Sequence, residues 1–264
     1  MNLKKVILAL CTILISITIT ANLRAPYIHS YKPSSALNSV SGLKVLSENL
    51  RFEFSGFASG KINSVISSNY ICRTYAVYNV ESENIFSAEM EFISPSADSI
   101  EIKLNDATIP FHTEIISQDD DDGNWRRIVK TLYSINFTGD FRKENNRIEV
   151  VYSQPVSIYE TSYGYFRKSR YSSSVTYEFW PLKEWERDIN FTAEITISVP
   201  YKWGISDYIT GSDINLELNG LFKDSTRKNI PFNGINSHKK GILVKKYILT
   251  DILPDFLNIS INED

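Results

Sequence analysis

Two stretches of this chain carry the same features in the same order, and that constrains its fold more than anything else in it. Phe86-Ser87-Ala88-Glu89 runs into Met90-Glu91-Phe92-Ile93-Ser94-Pro95, and Phe191-Thr192-Ala193-Glu194 runs into Ile195-Thr196-Ile197-Ser198-Val199-Pro200. Beyond each proline lies a second matched segment, Ile100 to Asp106 and Ile214 to Gly220. An Ile-Pro-Phe then follows in both places, at Ile109-Pro110-Phe111 and at Ile230-Pro231-Phe232.

Side chains alternate faces along a strand, so a strand with one wet face alternates apolar and polar residues. Ala193, Ile195, Ile197 and Val199 oppose Glu194, Thr196 and Ser198, and Ala88, Met90 and Phe92 oppose Glu89 and Glu91. Ile100, Ile102 and Leu104 oppose Glu101 and Lys103, while Ile214, Leu216 and Leu218 oppose Asn215 and Glu217. This is the pattern of antiparallel sheet with one face on a core. Asn219-Gly220 is the pair that tight hairpin turns favour, with Asn105-Asp106 a weaker version. No long segment keeps a 3.6-residue apolar period, so helix is expected to be minor, with Asp251 to Phe256 as a candidate turn of it. The expected fold is all-β: two tandem immunoglobulin-like antiparallel β-sandwich units, residues 37–154 and 155–264. If the unit is duplicated, the matched strands take equivalent places in it.

The N-terminus bears on compartment. Lys4 and Lys5 precede an apolar run from Val6 to Ile19, and Ala21 closes it with a small residue. That is the plan of a signal peptide at residues 1–21, followed by an extended lead-in at 22–36. The run falls short of the roughly 20 residues that span a bilayer, so no permanent membrane span is expected once the leader is cut. Cleavage is expected after Ala21 or, as the alternative, after Ala25, which leaves a bacterial protein that is secreted or held at the cell envelope. The cut removes Cys11 and leaves Cys72 alone, so no internal disulfide forms and stability must come from a core. Cys72 itself sits in the strand-like run Tyr70 to Tyr78 and reads as a small buried residue.

Charge and motif narrow the function. The net charge of -3 is spread through interspersed signs, so nucleic-acid binding has no electrostatic footprint. His29, His112 and His238 stand in unrelated contexts, and no serine elbow, phosphate loop or zinc signature occurs. No cofactor is expected and no catalytic residue is assigned. Asp119, Asp120, Asp121 and Asp122 precede Gly123 and invite calcium. In an EF-hand frame, however, Gln118 and Val129 would fall at the first and last ligand positions, so the run reads as an acidic turn with a looser calcium site as its alternative.

The best binding candidate is the aromatic and cationic stretch from Tyr159 to Trp185. Tyr163, Tyr165, Arg167, Arg170 and Tyr171 are the candidate contact residues, the first four expected on an exposed loop or edge, with Phe179 and Trp180 buried beneath. Flat rings beside guanidinium donors suit sugar rings or partner side chains, since they bury area at small entropy cost. The expected function is therefore non-catalytic binding of an envelope glycan or a protein partner. The alternative is an exported hydrolase acting through a pair of carboxylates that the sequence does not single out.

Overall fold

The computed structural model describes residues 22–24, 42–55, 71–94, 96–118, 131–162, 170–179, 182, 185–200, 214–222, 227–230, 236–239, 242–250 and 253–263. Alternation of apolar and polar residues builds strands throughout. In chain order they are β1 (Asn22–Arg24), β2 (Leu43–Ser55), β3 (Ile71–Ser82), β4 (Phe86–Ser94), β5 (Glu101–Leu104) and β6 (Ala107–Thr108). Then come β7 (Phe111–Gln118), β8 (Thr131–Phe141), β9 (Glu144–Pro155), β10 (Ser157–Ser162), β11 (Arg170–Glu178) and β12 (Glu186–Pro200). The last are β13 (Ile214–Leu221), β14 (Arg227–Asn229), β15 (Asn236–Lys239), β16 (Ile242–Leu249) and β17 (Phe256–Glu263). No α-helix forms among the described residues, and the only helical turn there touches Leu182, whose carbonyl accepts from Trp185 N–H at 3.3 Å. The described part of the expected helical turn, from Leu253, uses its backbone sideways. Asp255 N–H donates to the Leu221 carbonyl at 2.8 Å, and the Asp255 carbonyl accepts from Phe179 N–H at 2.7 Å.

Three sheets result. A four-stranded sheet orders β1-β4-β8-β7, a five-stranded sheet β10-β11-β17-β13-β14, and an eight-stranded sheet β15-β16-β12-β2-β3-β9-β5-β6. Adding eight to each strand number turns β2-β3-β9-β5-β6 into the five-stranded sheet and β4-β8-β7 into β12-β16-β15. The matched segments of the sequence fall at corresponding places in that scheme, β4 with β12 and β5 with β13. The eight-stranded sheet runs through both halves of the chain because β2 and β12 pair in parallel, Ser47–Glu53 beside Thr192–Ser198.

The core lies on one face of that sheet. Residues paired across neighbouring strands point to the same side. The register sets Ile195, Leu50, Ala76, Val150 and Ile102 in one buried row. Ile197, Phe52, Thr74 and Tyr152 make the next. Both smaller sheets cover this face: Phe92 of β4 packs on Tyr152 at 5.2 Å between ring centroids, and Tyr177 of β11 meets Phe52 edge-on at 5.9 Å. Cys72 is fully buried here, and burial pushes its thiol well above the usual range, which makes it unreactive. Glu91 departs from its expected wet face: it is buried and accepts a hydrogen bond from Ser134 Oγ at 2.6 Å.

The two turn signals exchange roles. Asn105 and Asp106 adopt φ of +53° and +68° and make the turn from β5 to β6. Asn219 and Gly220 instead lie inside β13, paired with Asn229 and Lys228 on one side and with Asn258 and Leu257 on the other. Glycine is needed there for space, since a Cβ at position 220 would sit 2.9 Å from Pro254 Cβ. Gly220→Ala is expected to cost about 1–3 kcal/mol through that overlap, read as a lower midpoint in urea.

Candidate functional site

The opposite face of the eight-stranded sheet is mostly polar, with Val151 a buried apolar member of it. Thr196, Arg51, Tyr75, Val151 and Glu101 form one row across it, and Glu194, Asn49, Val77, Glu149 and Lys103 the next. A hollow of about 270 Å³ lies here, with Glu194 and Thr196 on one side, Arg147 and Glu149 on the other, and Arg51 and Tyr75 between.

Ion pairs and ring contacts fix the side chains around it. The Arg51 guanidinium lies 3.8 Å from the centroid of the Tyr75 ring and that of Arg73 lies 5.5 Å from it. Tyr75 Oη donates to Glu53 Oε2 at 3.1 Å, and Arg51 Nε reaches Glu53 Oε1 at 3.2 Å. Arg147 holds Asp106 at 3.0 Å and Glu149 at 2.7 Å, and Lys246 holds Glu194 at 3.1 Å. Lys103 pairs with Glu101 at 2.8 Å, a hydrogen bond that draws the Glu101 carboxyl below its ordinary range and raises the Lys103 ammonium. Such exposed pairs add little stability. What they do is hold a row of planar, hydrogen-bonding groups at set positions on a rigid sheet.

Glu149 and Glu194 both line the hollow, but their backbones stand three strand spacings apart, ~14 Å. Each of these two is also held by a cation.

A second polar cluster is buried between the sheets. Glu48 of β2 is fully buried, and Tyr177 Oη donates to its Oε1 at 2.6 Å. The Tyr177 and Tyr78 hydroxyls are 2.6 Å apart, and Glu48 Oε2 has no hydrogen-bond partner among the described residues. Burial pushes the Glu48 carboxyl up to about 8, against the opposing pull of the Tyr177 and Tyr78 hydroxyls. Burial and the nearby Glu48 charge push Tyr177 well above its ordinary range. Near neutral pH the acid is therefore mostly protonated, a structural group sealed from solvent. Its placement has a signal in the sequence: Glu48 shares parity with Leu50, Phe52 and Phe54, all buried. Leu43 and Val45 have the other parity and are also buried, because the register with β3 shifts between Val45 and Ser47.

The expected contact residues are placed in part. Tyr163, Tyr165 and Arg167 lie outside the described residues, as do Trp180 and Asp119 to Asp122. Arg170 and Tyr171 open β11, opposite Ser162 and Glu160 of β10, so their backbones belong to the five-stranded sheet and not to a loop. Phe179 is fully buried, edge-on to Tyr177 at 5.5 Å. His112 is exposed beside Glu114 at 3.4 Å, and His238 falls in β15. Among the described residues no three His, Cys, Asp or Glu come together as a metal site. No described helix is long and apolar enough to cross a membrane. Arg51, Arg73 and Tyr75 carry no distinguishing signal in the sequence, where they look like the polar face of any strand.

Comparison with protein-family models and with curated proteins found no match. Among solved structures the chain is similar to a provisionally named nutrient binding protein of Legionella pneumophila, at TM-score 0.45 and 12% identity, over 83% of this chain and 67% of that one. It is also similar to a zinc metallopeptidase of Deinococcus radiodurans, at TM-score 0.38 and 9% identity, over 83% of this chain and 42% of that one. For yeast LTA4 hydrolase the values are 0.38 and 11%, over 84% and 29%. The chain thus spans less than half the length of either of the last two. None of these likenesses assigns a site residue here.

Proposed function

We propose that this chain is an exported, non-catalytic binding protein of the cell envelope or exterior, built from two copies of one eight-stranded unit. In this reading it holds a glycan or protein partner on the outer face of its eight-stranded sheet. The observation that carries the binding reading is the hollow beside Tyr75, with two guanidinium groups against that ring. Rigid aromatic and arginine groups on an open sheet bury area at small entropy cost. The cation paired with each of Glu149 and Glu194 supports binding over hydrolysis. The common strand order of the two halves supports duplication of a sandwich unit. Export rests on Lys4, Lys5 and the apolar run that follows. Tyr163, Tyr165, Arg167, Arg170 and Tyr171 are proposed as a further contact surface on the sequence argument alone.

The test is a pull-down of the purified protein against cell-wall polysaccharide and envelope extract, repeated with Arg51, Arg73 and Tyr75 all changed to alanine. Binding is expected to weaken at least about ten-fold while stability shifts by no more than about 1 kcal/mol, as for exposed positions. Unchanged binding moves the site off this face. Turnover of a glycan that disappears in Glu149→Gln or Glu194→Gln overturns the non-catalytic reading in favour of the hydrolase.

A further inference from the structure

We propose that a second copy of this chain docks along β4, its β10 laid there in parallel as β2 lies against β12 within one chain. The inference rests on the equivalence of the two halves proposed above and goes beyond it to a partner. Within the chain, the outer edge of β12 is met by β2 over Thr192–Ser198. In the scheme of eights, β2 corresponds to β10 and β12 corresponds to β4. The molecule thus uses one complementary pair of edges internally and carries the same pair again at its two ends.

Among the described residues, both ends leave strand backbone unpaired. β10 is an edge strand of the five-stranded sheet, with β11 as its one strand neighbour among the described residues. On β4 the corresponding edge is met by β1, whose Asn22–Arg24 face Ile93, Phe92 and Glu91. Phe86 to Met90 have β8 on one side and no strand on the other among the described residues. An open edge presents unpaired N–H and C=O groups, and an added strand satisfies them as a ladder. The six residues of β10 offer a longer ladder than the three of β1. Because the two edges differ, the contact is head-to-tail, and repeating it builds an open filament unless the rotation closes a ring. β1 acts as a short cover over that edge. A leader cut after Ala25 removes the cover, whereas a cut after Ala21 keeps it.

Sedimentation velocity on the full chain tests this. Leu23→Pro and Arg24→Pro are made separately, because successive amides of a strand point to opposite sides and only one of the two removes a ladder donor. One of them is expected to shift the protein from single copies to a ladder of multiples at a concentration at least ten-fold lower than for the unmodified chain. Adding Ile158→Pro or Tyr159→Pro on β10 is expected to restore single copies. The proposal fails if neither β1 variant assembles, or if assemblies survive both β10 changes. Should the proline variants misfold, amide exchange in the unmodified chain decides. Protection of Glu89 and Met90, which the equivalence sets beside Ser157 and Ile158 of the second copy, is expected to rise with protein concentration, and a flat profile overturns the proposal. Assembly without ligand binding sinks the binding reading alone, and binding without assembly sinks this inference alone.

Discussion

Glu48→Gln is expected to raise the stability of this protein by about 3 kcal/mol at pH 7 and by almost nothing at pH 4. The unfolded carboxyl titrates near its ordinary value of 4.5, whereas in the fold burial raises it to about 8. Between those values the folded chain holds a proton that the unfolded chain has released. Stability from this group is therefore complete below pH 4.5 and is lost as pH rises through 8, at about 1.4 kcal/mol per pH unit. Glutamine is neutral at every pH, nearly the same shape, and its carbonyl accepts the Tyr177 hydroxyl as Oε1 does. Urea unfolding of both proteins at one-unit steps from pH 4 to pH 8 reads the difference. A gap that does not widen with pH, or a less stable variant at pH 7, shows that Glu48 is not held as the neutral acid.

Phe52→Ala and Phe92→Ala are each expected to cost about 4 kcal/mol, and in both the whole protein is expected to unfold in one step. Phe52 is fully buried against Tyr177, which belongs to the five-stranded sheet of the second half. Phe92 is fully buried against Tyr152, within the first half. Removing either ring leaves a cavity in a core that rests on one shared sheet. If the halves melted independently, each variant would lower one of two transitions and leave the other in place. Scanning calorimetry separates the outcomes, with one displaced peak against two.

Much of the strand content could be read directly from the chain, because alternation is local. Phe191, Ala193, Ile195, Ile197 and Val199 all point inward as their spacing predicts. What alternation does not carry is partnership. The parallel pairing of β2 with β12 joins residues about 140 positions apart, and no turn or loop length marks it. The outer-face site has the same origin: Arg51, Tyr75, Glu149 and Glu194 come from four strands, and register alone brings them together. Asn219-Gly220 misleads for a related reason, since the demand for glycine comes from Pro254, far along the chain. Glu48 was half visible. Its parity places it inside, but nothing local names the tyrosines that receive it.

The parallel junction also sets a clock. β2 is complete by Ser55, yet the strand that covers its outer edge ends only at Pro200. At the roughly 5–20 residues per second of synthesis, that edge waits on the order of 10 s for its partner. During that interval the half-made chain shows a 13-residue strand with Leu50, Phe52 and Phe54 on one face. Long-range pairing of this kind folds slowly and leaves its edges open to other chains meanwhile. Until the second half arrives, the outer edge of β2 is therefore without the strand that covers it in the finished fold.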